Sequence, residues 1–258
     1  MTTMTTTDVT TIESIDHHEA MALQATELER AIALLHTLDP EQWSTQTNCP
    51  DWDVRRMWLH VLGACEAGAS MRENMHQMRL GRKRRKDLGV SLEAGLSGIQ
   101  VAEREDLSPD ELVERLERIA PATVKGRTRT PRPMRAMKIG IDAPVVEKWT
   151  LGYLIDIIYL RDAWMHRVDT ASATGGELVL TAEHDGRIIA EVVAEWARRH
   201  GQPFTLELTG VAGGAFTAGG GAGGNGGGQA IVIDAVEFCS VLAGRGEATG
   251  LLATIVPF

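Results

Sequence analysis

The chain has 258 residues, 43% hydrophobic and 24% charged, a composition able to bury a globular core. A formal net charge of −9 and a pI near 5.4 argue against nucleic acid or an anionic membrane as the principal partner. Three scattered cysteines with no C-x-x-C exclude a disulfide framework, and no apolar run reaches the roughly 18 residues of a membrane span, so a protein of the reducing cytoplasm is expected.

The first dozen residues are threonine-rich, lack the basic and apolar regions of a signal peptide, and read as a disordered tail. Asp16 then offers an N-cap, with Glu19 three residues on, and a helix is predicted up to about Leu38, where Asp39-Pro40 stops it. Its apolar positions Leu23, Leu28, Ile32 and Leu35 keep roughly helical spacing. Trp43 to Asp51 reads as a loop. Asp53 caps a second helix with the stripe Val54, Met57, Trp58, Val61, Leu62 and Cys65. A third helix is predicted from Pro109 to Ile119 and a fourth from about Pro144 to Asp169.

After Thr170 the small-residue run Ala171 to Gly176 reads as a linker. A helix over Glu183 to His200 comes next, then a period-two strand over Phe204 to Thr209. The glycine-rich stretch Gly213 to Gly228 reads as a hairpin loop; it carries no Gly-Lys-Ser/Thr and is no P-loop. A strand at Ala230 to Ile233 and a helix from Asp234 to Leu242 close the chain. The expected organisation is an all-helical domain over residues 12–172 and a smaller α+β domain over residues 176–258.

Asp162 and His166 lie one turn apart on the fourth helix, on the face that also carries Leu151, Ile155, Ile158 and Tyr159. A carboxylate and an imidazole there interrupt a stripe that should be dry, and burying a charge is costly unless it is paired or metal-bound. Two readings stand: a shared divalent metal, or a buried Asp–His hydrogen bond that ties helices together. His60 lines up with Ala64, Ala67 and Met71, away from the charged face of the second helix, and is positioned to be a third donor. Helix bundles commonly build metal sites in this way.

The run Cys49-Pro50-Asp51-Trp52-Asp53-Val54-Arg55-Arg56-Met57, with His60-Val61-Leu62-Gly63 after it, resembles a signature of the mycothiol-dependent maleylpyruvate isomerase family, a branch of the DinB/YfiT-like bundles. Arg161-Asp162-Ala163-Trp164-Met165-His166-Arg167-Val168-Asp169 is similar to its second motif. The stretch from Asp234 through Phe238 and Gly244 to Arg245, with the Val-Pro-Phe ending, is similar to its C-terminal domain. The resemblance implies a mainly α N-terminal four-helix bundle with a smaller α+β, sterol-carrier-like C-terminal domain. It implies a divalent metal, usually zinc, held by His60, Asp162 and His166, with mycothiol as the thiol cosubstrate. Three protein ligands would leave an open coordination position. A metal-poised thiolate would then add to an electrophile, so none of the three cysteines needs to be the nucleophile.

Arg245 is expected either to reach toward the metal and bind an anionic cofactor or substrate, which would make it the catalytic and cofactor-binding cation, or merely to complement a helix C-terminus. The bundle cavity, read as lined by Ile155, Ile158 and Tyr159, offers no other evident cation. Asp169 reads as a helix cap in preference to a hydrogen-bond acceptor for a ligand imidazole. The basic runs Arg79 to Lys86 and Lys125 to Lys138 lack interleaved aromatics and read as solvated loops. His17, His18, His36, His76, His184 and His200 read mostly as surface residues.

The leading expectation is a metal- and thiol-dependent enzyme, an isomerase of unsaturated keto acids or a thiol S-transferase. Its partner would be a small-molecule electrophile, and its state a monomer or weak homodimer, with no nucleic acid and no membrane. A non-enzymatic metal- or small-ligand-binding protein that keeps the bundle is the alternative, and a metal-dependent hydrolase or DNA-damage-induced bundle protein a third.

Overall fold

The structure is a computed structural model and describes residues 5–143, 145–219 and 228–258. Pro144 and residues 220–227, the centre of the glycine-rich stretch, lie outside the described residues. The chain divides into two compact units, Asp16–Leu178 and the pair of segments Met1–Ile15 with Val179–Phe258. It is a mainly α bundle unit and a smaller α+β unit.

The N-terminal segment is not a free tail. Strand β1 (Thr6–Asp8) pairs parallel with a strand more than 200 residues away and so belongs to the α+β unit. Asp8 then caps a 3-10 turn over Val9–Thr11 by accepting from Thr10 N–H at 2.9 Å, and Val9 is buried. Composition alone hides this, because a three-residue edge strand carries no periodic signal.

In the bundle unit, α1 (His17–Leu35) begins where Asp16 accepts from Glu19 N–H at 2.9 Å, and it ends before Leu38. Helix α2 (Val54–Ala69) begins at the Asp53 cap, which accepts from Arg56 N–H at 2.8 Å. Ser70 and Ser91 then cap two helices that the sequence pattern does not announce, α3 (Met71–Leu88) and α4 (Leu92–Ala102). The basic run Arg79 to Lys86 is therefore helical. Its row of charges conceals a narrow seam where Gln77 and Gly81 are buried.

A full capping box at Ser108 and Glu111 starts α5 (Pro109–Thr128), which runs past Ile119 although Pro121 removes one backbone donor. Leu112, Leu116, Ala120 and Thr123 remain buried along it, and that packing outweighs the lost bond. After the single turn α6 (Arg132–Arg135) comes a hairpin of β2 (Lys138–Ile141) and β3 (Glu147–Thr150), and β3 occupies the first residues assigned to the fourth helix. That helix starts only at Leu151, as α7 (Leu151–Tyr153), a π-turn over Leu154–Ile158, and α8 (Tyr159–Thr174).

Helices α1, α2, α5 and α8 form the bundle, with α1 on α5 and α8, and α2 on α4, α5 and α8. Leu28, Leu35, Met57, Trp58, Leu62 and Leu116 fill its centre, each contributing about 1.5–3 kcal/mol on burial. A Cβ on Gly126 would collide with the Gly68 carbonyl, so α2 and α5 meet there backbone to backbone. Inside the bundle Arg167 of α8 bonds both Glu27 carboxylate oxygens of α1, at 2.6 and 3.1 Å.

In the α+β unit, β4 (Phe204–Thr209), β5 (Gly214–Ala218) and β6 (Gln229–Asp234) join β1 in the order β1-β5-β4-β6. Strand β4 pairs antiparallel with β5 and parallel with β6. Its alternation turns Phe204, Leu206 and Leu208 inward. Strand β5 falls within the stretch read as a loop, because its glycines and alanines carry little strand signal. Helix α9 (Asp185–His200) precedes β4 and α10 (Ala235–Leu242) follows β6; Trp196 of α9 lies edge-on to Phe204 and Phe238 at 4.7 and 5.3 Å. Among the described residues no helix is long and apolar enough to cross a membrane.

Candidate metal centre

Helices α2 and α8 bring the three sequence-predicted donors to one point. His60 Nε2 lies 3.7 Å from one Asp162 oxygen and His166 Nε2 lies 3.3 Å from the other. The ligand atoms of His60, Asp162 and His166 all fall within 4.8 Å of one another. Donors about 2.1 Å from a tetrahedral centre stand about 3.4 Å apart, so the spacing suits a divalent cation.

The hydrogen-bond pattern points the same way. His166 is 4% exposed, and its ring nitrogens face only carboxylates, Nε2 toward Asp162 at 3.3 Å and Nδ1 toward Asp169 at 3.6 Å, neither in well-aligned hydrogen-bond geometry. His60 Nδ1 is bonded to Gln100 Oε1 at 2.7 Å. An amide oxygen can only accept, so Nδ1 carries the proton and the Nε2 lone pair faces Asp162. Gln100 donates in turn to Gln77 Oε1 at 2.9 Å, and Gln77 donates to the Gly63 carbonyl at 2.9 Å. No sequence pattern announces Gln100, because it sits on the undetected α4. Gly63 is the one visible trace: an added Cβ would stand 2.6 Å from Gln100 Cβ, so only glycine lets α4 come this close.

Electrostatics set the protonation of the metal-free cluster. Burial alone would raise the Asp162 pKa, but the His166 charge and hydrogen bonds from both imidazoles hold it well below the usual carboxylate value. Burial alone would lower the His166 pKa, but Asp162 and then Asp169 and Cys49 push it well above the usual histidine value. The fit of the site is therefore that of a cation-binding cluster, with a proton occupying the place of the cation.

Asp169 is not a cap. Helix α8 continues to Thr174 and ends at Gly175, whose φ of +69° closes it, while Asp169 is wholly buried. Its Oδ2 lies 3.6 Å from His166 Nδ1 and accepts from Cys49 Sγ at 3.7 Å. The Trp52 ring tilts over His60 with centroids 4.9 Å apart and stands edge-on to His166 at 6.1 Å. Trp58 Nε1 donates to Thr170 Oγ1 at 2.8 Å, and that hydroxyl donates to the His166 carbonyl at 2.7 Å, pinning α2 to α8.

Beside Asp162 is a cavity of ≈ 10 Å³, enough for one water. Tyr159 lines it, but Ile155 and Ile158 do not; the π-turn swings Ile158 onto the hairpin residues Ile141 and Trp149. The cavity does contain a cation, Arg127, from the run read as a solvated loop. His17 is likewise not a free surface residue. Its ring nitrogens meet Asp156 Oδ1 at 2.7 Å and the Thr128 carbonyl at 3.1 Å. Arg245 belongs to the other unit, just past α10, with its Nη1 3.5 Å from the Ala243 carbonyl.

A four-helix bundle with a two-histidine, one-carboxylate cluster between α2 and α8 thus defines the class. The model of the mycothiol maleylpyruvate isomerase N-terminal domain matches residues 25–171, more than half of the chain. The chain belongs to the mycothiol maleylpyruvate isomerase family. Two solved structures share its fold: a mycothiol-dependent maleylpyruvate isomerase, 17% identical with a TM-score of 0.56, and a histidine-to-alanine mutant of it, 16% identical with the same score. Each alignment covers 93% of this chain and 92% of the other. No curated protein matches the sequence.

Proposed function

We propose that this protein is a metal-dependent isomerase of a small unsaturated keto acid, with mycothiol as thiol cosubstrate and a divalent cation, zinc by preference, held by His60, Asp162 and His166. The observation that carries the reading is the convergence of these donors, with buried His166 facing Asp162 at 3.3 Å without a well-aligned hydrogen bond. A cation bound there would supply Lewis-acid charge that lowers the pKa of a thiol at neutral pH.

The chain's own residues prepare that site. Gln100 fixes His60 in the tautomer whose Nε2 is free to ligate. Asp169, beside His166 Nδ1, favours the tautomer or charge state with a proton there and directs Nε2 toward Asp162. Trp52 covers one side of both imidazoles, and Leu28, Val61 and Ala163 make the cavity wall beside Asp162 apolar. Water is thereby limited near a group that must stay charged and nucleophilic.

The test is metal analysis of the purified protein joined to turnover of maleylpyruvate with and without mycothiol. About one zinc per chain with mycothiol-dependent turnover supports the reading. A metal-bearing protein that conjugates mycothiol to electrophiles without isomerising the acid would replace it with an S-transferase. Absence of both metal and turnover would leave the bundle as a binding module.

A further inference from the structure

Arg127 is a buried cation without a counter-ion among the described residues. It is 6% exposed, and its contacts are with neutral groups: Nη1 donates to Gln24 Oε1 at 2.8 Å, and its Cζ lies 4.2 Å from the centroid of the Tyr159 ring. Its Nε has no hydrogen-bond partner. Equally buried arginines of the same unit are treated differently. Arg104 meets Glu66 and Glu73, and Arg167 meets Glu27. A guanidinium held away from water with only an amide and a ring face is costly, and the cost is offset when an anion arrives.

The surroundings hold Arg127 in place. Its aliphatic stem rides in the α2–α5 contact, where a Cβ at Gly68 would stand 3.0 Å from Nε. Gln24 is locked by donating to the Ile155 carbonyl at 2.6 Å, which turns its Oε1 toward the guanidinium. Arg127, Tyr159 and Asp162 line one cavity. Among the described residues the only carboxylate on that lining is Asp162, which is engaged with the two histidines.

We propose that Arg127 is the anion anchor of the site, receiving a carboxylate of the substrate beside the His60–Asp162–His166 cluster. The proposal rests on the isomerase reading for the identity of the substrate, though the anchor itself requires only a small carboxylate. Because the cavity of ≈ 10 Å³ is smaller than a carboxylate, entry of one requires the half-buried Tyr159 ring to move. Arg127 would then select for an acid over its ester, through charge-assisted bonds that a neutral group cannot make.

The test uses zinc-treated full-length protein and maleate, a small cis-dicarboxylate, titrated calorimetrically into wild type, Arg127→Met and Arg127→Lys, with dimethyl maleate as the uncharged control. Maleate should bind wild type and weaken about 10- to 100-fold in Arg127→Met, the loss of charge-assisted hydrogen bonds, with Arg127→Lys between them. The ester should not discriminate. Thermal unfolding of Arg127→Met is measured only to establish that the variant is folded, since removing the buried charge and orphaning Gln24 Oε1 act in opposite directions. Equal maleate affinity in wild type and folded Arg127→Met, or no maleate binding by wild type, overturns the anchor. Zinc content is read separately. Arg127-dependent maleate binding without zinc or turnover sustains the anchor and removes the isomerase; turnover with an unchanged KM in Arg127→Met does the reverse.

Discussion

Gln100 is where the proposed centre is most exposed to refutation. Its Oε1 is the acceptor for His60 Nδ1 at 2.7 Å, so replacing it with leucine keeps the volume but frees the imidazole to rotate or change tautomer. Partners that orient a metal-ligating histidine are typically worth about 10- to 100-fold in metal affinity, or about 1.4–2.8 kcal/mol. A second effect arises from the chain of amides. Gln77, 1% exposed, loses the 2.9 Å donor to its Oε1, and an orphaned buried acceptor costs about 1–3 kcal/mol of stability. The assay is zinc competition against a chromogenic chelator, with thermal unfolding in parallel. Gly63→Ala should weaken zinc by another route, since its methyl would push against Gln100 Cβ. A folded Gln100→Leu protein that binds zinc within twofold of wild type would show that His60 Nε2 is not a ligand oriented by this amide.

Further expectations use the same structure. His166→Ala should lose zinc, read by elemental analysis, yet keep its helical circular dichroism, because Trp58, Trp164 and the surrounding apolar stripes are untouched. In the metal-free protein, the raised His166 pKa contributes stability that is complete below 6.5 and is lost as pH rises through the folded value. The lowered Asp162 pKa contributes stability present above 3.8 and lost as pH falls through its own folded value. Melting midpoints of metal-free protein should therefore be favoured by this pair between those limits and decline toward alkaline pH, a trend absent from His166→Ala. Zinc must displace the His166 proton, so calorimetry in buffers of different ionisation enthalpy should show about one proton released per zinc near neutrality. Glu27→Ala should lower stability in urea unfolding, since it removes a buried carboxylate that bonds Arg167 with both oxygens.

The sequence exposed the donors because each breaks a strong local pattern. His60, Asp162 and His166 are polar positions within long apolar helices, and i, i+4 spacing is preserved wherever a helix is regular. The residues that support them were hidden for the opposite reason. Gln100 and Gln77 sit on α4 and α3, whose buried seam is made of glycines and glutamines that no hydrophobic period reveals. Arg127 was masked by its neighbours Lys125 and Arg129: in one dimension it is a member of a basic run, while in the helix its position falls on the inward side of α5 with Leu116, Ala120 and Thr123.

The π-turn shows how little of this arrangement helix periodicity alone could deliver. Projected as one regular helix, Ile155, Ile158, Tyr159 and Asp162 share a stripe and would crowd the same cavity. The Tyr159 N–H instead bonds back five residues to the Leu154 carbonyl, inserting one extra residue in that turn and rotating α8 relative to α7. Ile158 is released to the β2–β3 hairpin, Asp156 turns to meet His17 and Arg135, and Tyr159 is left against Arg127. The carbonyl of Ile155, within the same turn, takes the Gln24 amide and so aims Gln24 Oε1 at the guanidinium. One irregular turn thus separates an apolar anchoring face from a polar one. It places Asp162, one member of the proposed cation-binding cluster, and the proposed anion anchor on the same cavity without an ion pair between them.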